Sequence, residues 1–455
     1  MISAAMGKTV KSQLIGLVVL SVGIRLLIAP LFGGFQYDMN SLADWSWHLQ
    51  FTPMNRFYEF ANNPDHLPGD LWFLWWLGTI FRAFGGINFE SDSYHFLIKL
   101  VPTIADAGIG VLIFAIVSSI RSSRDALIAA ASYLLNPAVI YLTAVWGQWD
   151  SVSMALVLAA MWIVLSKKWW LWAAPVLAWA VVIKPPLVPL AGLVLLIPIW
   201  RDYISTGLTV AWIRRTFGAT LIVVVVTWIS VLAVILPFGV GLPGTTTTWK
   251  LLDRLQVALD LYPSKTLAAM NIWMLGQASL DRVDDESTLI FGQSSHSVGN
   301  ILLVLALMCI VGTALLLAVR RVPFSLPIVI TWLMLLASFS FYMLPTRVHE
   351  RYLFPSLVCL ALLVGLGRTE RSFLVLYACL STTYLFNLMI VYGGFRDSVP
   401  ELVGDFIYSP FLVVLTLVNT ACFVFAVWIT YRRLVLPIDG DIMFRTPAPV
   451  NHLVR

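Results

Sequence analysis

Runs of apolar residues alternate with short polar breaks from the start of the chain to about residue 430. The first covers about 10–31, and others follow at about 70–84, 96–119, 125–143, 148–166, 169–183, 186–200, 216–237, 298–319, 324–343, 352–367, 372–391 and 408–430. A helix needs roughly 20 apolar residues to cross a bilayer, so the shorter runs predict broken or partly buried helices. The run LWFLWWLGTIFRAFGG, with its tryptophans and Arg82, suits a place at the membrane interface better than a crossing. Setting it aside leaves about twelve transmembrane helices.

With that count the basic clusters fall in phase. Lys8/Lys11, Arg121/Arg124, Lys167/Lys168, Arg201/Arg214/Arg215, Arg320/Arg321, Arg368/Arg371 and Arg432/Arg433 share one side, which the positive-inside rule makes cytoplasmic, with both termini there. The expected architecture is an all-α polytopic membrane protein with a single transmembrane domain over 1–433. Its first outer loop, 33–95, carries interfacial helices; the second outer loop is 238–297; 434–455 is a cytoplasmic tail. The first run has no small-residue cleavage site before its polar sequel and is read as a retained span, not a signal peptide. Within the second outer loop, Trp249 to Leu261 reads as a short amphipathic helix and DRVDDES as a solvated acidic turn.

Composition agrees with this reading. The chain of 455 residues is 59% hydrophobic and 12% charged, with mean hydropathy +0.86, whereas roughly a quarter of residues are charged in soluble domains. The net charge of +5 punctuates the apolar runs instead of clustering on one face, so no nucleic-acid partner is expected. Cys309, Cys359, Cys379 and Cys422 lie inside apolar runs as small hydrophobes. The chain has no phosphate-cradling glycine loop and no HxxxH pair. Asp38, Asp44, Asp65 and His66 can cage a divalent ion only if the fold gathers them.

Nearly every unusual polar residue falls on the outer side. Asp38, just past the first span in QYDMNSLADW, is placed to take a proton from a hydroxyl nucleophile, or to act as a helix cap. Asp44, Asp65 and His66 follow in the same loop, the latter two in the turn NNPDHLPGD, where sugar contacts and turn bonds are both open readings. In WGQWDS, Gln148 and Asp150 sit between and after Trp146 and Trp149, as in a binding rim for a sugar or prenyl chain; the plain alternative is an aromatic belt with Asp150 capping the next helix. Lys184, before two prolines, offers a phosphate contact or a snorkelling cation. Asp106 lies deep in an apolar run with Lys99 two turns before it on one face, which calls for an interior partner.

TRVHERYLFP places Arg347, His349, Glu350 and Arg351 together between two spans on the side where cations are disfavoured. A phosphate or pyrophosphate headgroup answers that charge, with Glu350 orienting an arginine. An internal Arg–Glu lock is the structural alternative.

The order of these motifs resembles the GT-C superfamily of membrane glycosyltransferases. The resemblance runs over about 10–390 and rests on Asp38 after the first span, DHLPGD, KLVPTIAD, NPAVIYLTAVWGQWDS, KPP, YPSKTLAAMNIW and RVHERYLFP. The branch it is most similar to holds the dolichyl-phosphate-glucose-dependent glucosyltransferases and their prokaryotic relatives. Where many relatives carry Tyr-Pro-Pro after an aspartate, this chain has Asp65-His66-Leu67-Pro68. The resemblance implies a prokaryotic plasma-membrane enzyme with an extracytoplasmic site, a polyprenyl-phosphate-linked sugar donor, inversion at the anomeric carbon and no metal cofactor. The acceptor is a lipid-linked glycan, a polysaccharide or a protein hydroxyl. It puts the base at Asp38 and the donor phosphate near His349-Glu350-Arg351, where His349 and Arg351 are the expected contacts; the residues themselves add Arg347 and Lys184 as phosphate contacts. Asp44, Asp65, His66, Gln148, Asp150 and Glu350 are then sugar-binding candidates, and Trp146, Trp149 and Trp273 line a lipid groove. A transporter or flippase for a polyprenyl-linked amphiphile explains the spans equally well and the one-sided polar groups less well; a membrane scaffold is the third reading.

Overall fold

The computed structural model describes residues 7–166, 170–242, 247, 249–277, 280, 282–320, 325–368, 370–394 and 410–436. Lys167, Lys168, Arg321, Asp281 of the acidic turn and most of the expected tail, 437–455, lie outside the described residues. The protein is an all-α, multi-spanning membrane protein. Among the described residues, eight helices are long and apolar enough to cross a membrane, or nine if the bent pair Ser123–Leu134 and Pro137–Trp146 counts as one span. Asp150–Leu165 and Trp170–Ile183 are shorter apolar helices.

Local chemistry sets several boundaries. Ser91 and Ser122 cap the helices Asp92–Ser118 and Ser123–Leu134, their hydroxyls accepting from the backbone N–H groups of Tyr94 and Asp125. Asn136 caps Ala138, and Pro137 at the first helical position restarts the chain after the bend.

Burial sorts the helices into a centre and a rim. Every residue of Phe354–Leu366 is buried, as is 83% of the span Leu326–Met343. Within the 18-residue apolar stretches of Val210–Phe238 and Ser295–Arg320 only 22% of residues are buried, and Phe217 and Leu305 stand exposed on these helices as lipid-facing side chains do. Inside the bundle Arg25 Nε donates to Asp106 Oδ2 at 3.0 Å and the Tyr133 hydroxyl donates to Asp106 Oδ1 at 2.6 Å, with both charged side chains fully buried. The partner of Asp106 is therefore Arg25 on the first helix; Lys99 instead donates to the carbonyl of Ala29 at 3.1 Å.

Polar contacts define two ends. At one, Arg121 donates to the Leu366 carbonyl at 2.7 Å, Arg320 to the Val435 carbonyl at 2.6 Å, and Arg433 pairs with Glu370 at 3.7 Å. Asp92–Ser118 and Arg371–Gly394 run from there to the other end, where the Tyr392 hydroxyl donates to the Gly34 carbonyl at 3.2 Å.

The segment that follows the first span is more regular than a loop. Gln36–Phe51 is a helix of 16 residues, because Met39, Leu42, Ala43, Ser46 and Leu49 repeat at helical spacing and bury one face. Pro68–Ala83 is a second helix of 16 residues packed on it, too short for an untilted crossing. Leu251–Asp260 forms the expected short helix between the spans Val210–Phe238 and Ser295–Arg320.

Candidate active site

Two glycines seat the start of the helix Gln36–Phe51 against the end of the bent span. Tyr141–Trp146 is a π-helical turn that stops at Gly147, whose φ is +94°. Gly34 has φ +89°, and a Cβ there would lie 2.4 Å from Met39 Cγ and 3.0 Å from the Trp146 carbonyl oxygen. A side chain at 147 would meet Met39 Sδ at 2.7 Å. Left-handed backbone is cheap only for glycine, so this close approach requires both residues. It lets the Phe35 N–H donate to the Trp146 carbonyl at 2.9 Å and stacks the Phe35 and Trp146 rings with centroids 4.6 Å apart.

Asp38 consequently enters the site from the first turn of a helix, not from a loop. Its Oδ2 accepts from the Trp146 indole N–H at 2.9 Å and from the Gln148 side-chain amide. These bonds, rather than its own helix N–H groups, occupy the carboxylate, so Asp38 is no cap. The helix N-terminus favours negative charge here.

Asp38 lines a cavity of about 1110 Å3 that also takes in Asp65, His66, Asp70, Gln148, Trp146, Trp149, His349, Glu350 and Arg351. The 346–351 segment reaches the cavity by strand-like contact with 264–268: Leu267 N–H donates to the Val348 carbonyl at 2.9 Å, and Arg347 N–H to the Ser264 carbonyl at 3.0 Å. The Tyr384 hydroxyl donates to the Arg351 carbonyl at 3.1 Å and secures the turn from inside the bundle.

In that turn Arg351 Nη1 donates to Glu350 Oε1 at 3.3 Å, and His349 Nδ1 lies 3.8 Å from Glu350 Oε2. Burial pulls the Arg351 guanidinium down, but Asp38 and Glu350 outweigh it and raise it above its ordinary value. Burial, helped by the Arg351 charge, lowers the His349 imidazole despite Glu350. Burial pushes the Glu350 carboxyl up, yet His349 and Arg351 leave it below its ordinary value. The result is a carboxylate in hydrogen-bonded contact with the cavity wall, an arginine fixed in its charged form, and a neutral histidine beside it. Such a set can accept a proton from a hydroxyl and receive an anion.

Five expected site residues do not line the cavity. Arg347 adopts φ +60° and turns its guanidinium to Asp285, Asp260 and Glu286 at 2.8, 3.0 and 2.7 Å. The internal lock therefore takes Arg347, while Arg351 stays with the cavity. Lys184 pairs with Asp150, which neither caps its helix nor reaches the cavity. Asp44 accepts from the N–H and side-chain amide of Asn62 at 3.2 and 3.1 Å. Trp273 donates its indole N–H to the Leu344 carbonyl at 2.7 Å, and Trp146, 1% exposed, serves Asp38 rather than a lipid groove. Trp149 lines the cavity while its indole N–H donates to the Ile98 carbonyl at 3.2 Å.

Asp70, Glu90, His95 and Arg282 are cavity residues that the reading of the sequence passes over, and of these Asp70 is the more buried carboxylate. It is buried at the start of Pro68–Ala83 and bonds His66; its spacing of four from His66 in DHLPGD is the signal that marks it. Among the described residues no group of three or more His, Cys, Asp or Glu side chains is disposed to hold a metal ion. No protein-family model matches the chain, and no curated protein matches it significantly.

Proposed function

We propose that the protein is an inverting glycosyltransferase that takes its sugar from a polyprenyl-phosphate donor, with the GT-C fold that its motifs resemble. The observation that carries the reading is the convergence of Asp38 and Arg351 on one large cavity, a proton acceptor beside a fixed cation. In this reading the eight long helices, the bent pair, the two shorter apolar helices and Phe354–Leu366 make twelve crossings. The connections 32–91, 147–149, 239–294 and 344–353 then contribute residues to the cavity, and Arg121, Arg320, Arg368 and Arg433 stand at the opposite end. By the positive-inside rule the cavity is extracytoplasmic and both chain ends are cytoplasmic. In this reading Pro68–Ala83 lies at the interface, with Asp70 near its start lining the cavity.

The reaction is one displacement. An acceptor hydroxyl oxygen attacks C1 of the sugar from the face opposite the phosphate while Asp38 takes its proton. The C1–O bond to phosphate breaks, and its electron pair leaves with the polyprenyl phosphate, whose charge Arg351 and His349 receive. A phosphate leaving group needs no proton, so one carboxylate and a cationic clamp suffice. Because the lining segments come from one end of the helices, the arrangement suits one-sided chemistry better than an alternating-access carrier, which needs a site near the bilayer midplane.

Purified protein incubated with a panel of polyprenyl-phosphate sugars, with and without chelator, tests this. Release of polyprenyl phosphate that depends on acceptor and ignores chelator is expected; movement of intact donor across vesicles without hydrolysis or transfer contradicts it.

A further inference from the structure

Asp65, His66 and Asp70 stand together at and just before the start of the helix Pro68–Ala83, and all three line the cavity. His66 Nδ1 is hydrogen-bonded to Asp70 Oδ2, and His66 Nε2 lies 4.0 Å from Asp65 Oδ1. The Asp70 side chain is only 4% exposed, and its Oδ1 has no hydrogen-bond partner among the described residues. Its buried charge is therefore answered by His66, since a carboxylate held away from water needs a partner. The residue is fixed from two further directions: its ring meets the Trp45 ring edge-on at 4.8 Å, and the Tyr58 hydroxyl donates to the His66 backbone carbonyl at 2.8 Å. With Nδ1 engaged, the exposed edge of a side chain that is 37% accessible presents Nε2 to the cavity beside Asp65.

We propose that Asp70 positions His66 so that its Nε2–H donates to a hydroxyl of an uncharged sugar while Asp65 accepts from the neighbouring hydroxyl. This rests on the glycosyltransferase reading above and names its substrate class: a neutral sugar with adjacent hydroxyls, in preference to a uronic acid or a phosphorylated sugar. Arg351, Arg254 and Lys184 act on His66, Asp65 and Asp70 from further off, so the selectivity lies in what Nε2–H and Asp65 meet directly. An anionic group set against Asp65 is repelled and brings it no donor, whereas a diol supplies the acceptor that Nε2–H needs and the donor that Asp65 needs.

The charged groups facing His66 decide its titration. Burial opposes the charged imidazole, as does Arg351, but Asp70 and then Asp65 outweigh them and raise it to about 9. Burial pushes the Tyr58 hydroxyl up, so it stays neutral. His66 thus donates from both nitrogens at neutral pH and loses a proton as pH rises through about 9.

The full-length protein in lipid nanodiscs, assayed for sugar transfer as a function of pH, tests the dyad. For the wild type, KM for the sugar-bearing substrate should rise above about pH 9. In Asp70→Asn that rise should move down by roughly 1–2 pH units, because the main opposite charge is gone. His66→Gln should raise KM about 10-fold and remove the alkaline limb, and the double variant His66→Gln/Asp70→Asn does the same without a stranded buried carboxylate. Binding of polyprenyl phosphate stays unchanged throughout. A KM unmoved by pH, an alkaline limb unmoved in Asp70→Asn, or glucuronyl donors used as well as glucosyl donors overturns the proposal. If the wild type transfers no sugar from any donor, the glycosyltransferase reading fails separately. Direct binding of methyl glucoside against glucuronate then decides the dyad, and equal or better glucuronate binding overturns it.

Discussion

Arg347 Nε donates to Asp285 Oδ2 at 2.8 Å, whereas Arg351, four positions on, keeps its guanidinium at the cavity beside Glu350. One arginine of the segment is thus spent on anchoring and the other is left for an anion. Arg351→Lys keeps the charge but loses the planar fork, and should lower kcat for sugar transfer about 10²-fold. Arg347→Ala should leave KM for the donor within about twofold while making the 260–290 segment more open to protease, because it frees a strained turn and the buried Asp285. Steady-state kinetics and limited proteolysis of both variants check this; a donor KM defect in Arg347→Ala with wild-type proteolysis contradicts the division.

The approach of Phe35 to Trp146 depends on Gly147. Gly147→Ala puts a Cβ 2.7 Å from Met39 Sδ at φ +94°, so the backbone at 147 is strained and the buried Met39 side chain must repack on the helix that carries Asp38. A misplacement of about 1 Å costs about 10²-fold in rate. We expect kcat to fall by that order while thermal stability drops by only about 1–2 kcal/mol; unchanged kcat would show that Asp38 does not need this seat.

Arg25 and Asp106 form a fully buried pair. Arg25→Met strands the Asp106 carboxylate and should destabilise the protein by about 3–5 kcal/mol. Arg25→Met/Asp106→Leu should recover much of that, with a remainder from the unpaired Tyr133 hydroxyl. Unfolding of the three proteins in the same lipid or detergent measures it. A double variant as unstable as Arg25→Met would mean that the pair is not simply structural.

The sequence makes the membrane-spanning helices legible because long apolar runs have few alternatives in a bilayer. Gln148, His349 and Arg351 are legible for a related reason: polar residues at the mouths of apolar runs stand where a cavity can form. The helix Gln36–Phe51 is harder to read, since its apolar positions are diluted by Asp38, Asn40, Ser41, Asp44 and His48, although Met39, Leu42, Ala43, Ser46 and Leu49 keep the 3.6-residue period. Partners far apart in the chain are not legible at all. Arg25 and Asp106 are 81 positions apart, and Lys184 and Asp150 are 34 apart, so only packing decides that Lys184 is paired and Arg351 is at the cavity. Asp70 is hidden for another reason: it heads an apolar run and passes as its cap.

The central claim concerns Asp38 as the proton acceptor. Asp38→Asn keeps a side-chain oxygen for the Trp146 and Gln148 hydrogen bonds and removes only the ability to take a proton. Single-turnover release of polyprenyl phosphate, measured beside donor binding, should fall by about 10²–10⁴-fold in this variant while donor affinity stays near that of the wild type. Turnover retained in Asp38→Asn with donor bound would contradict the account.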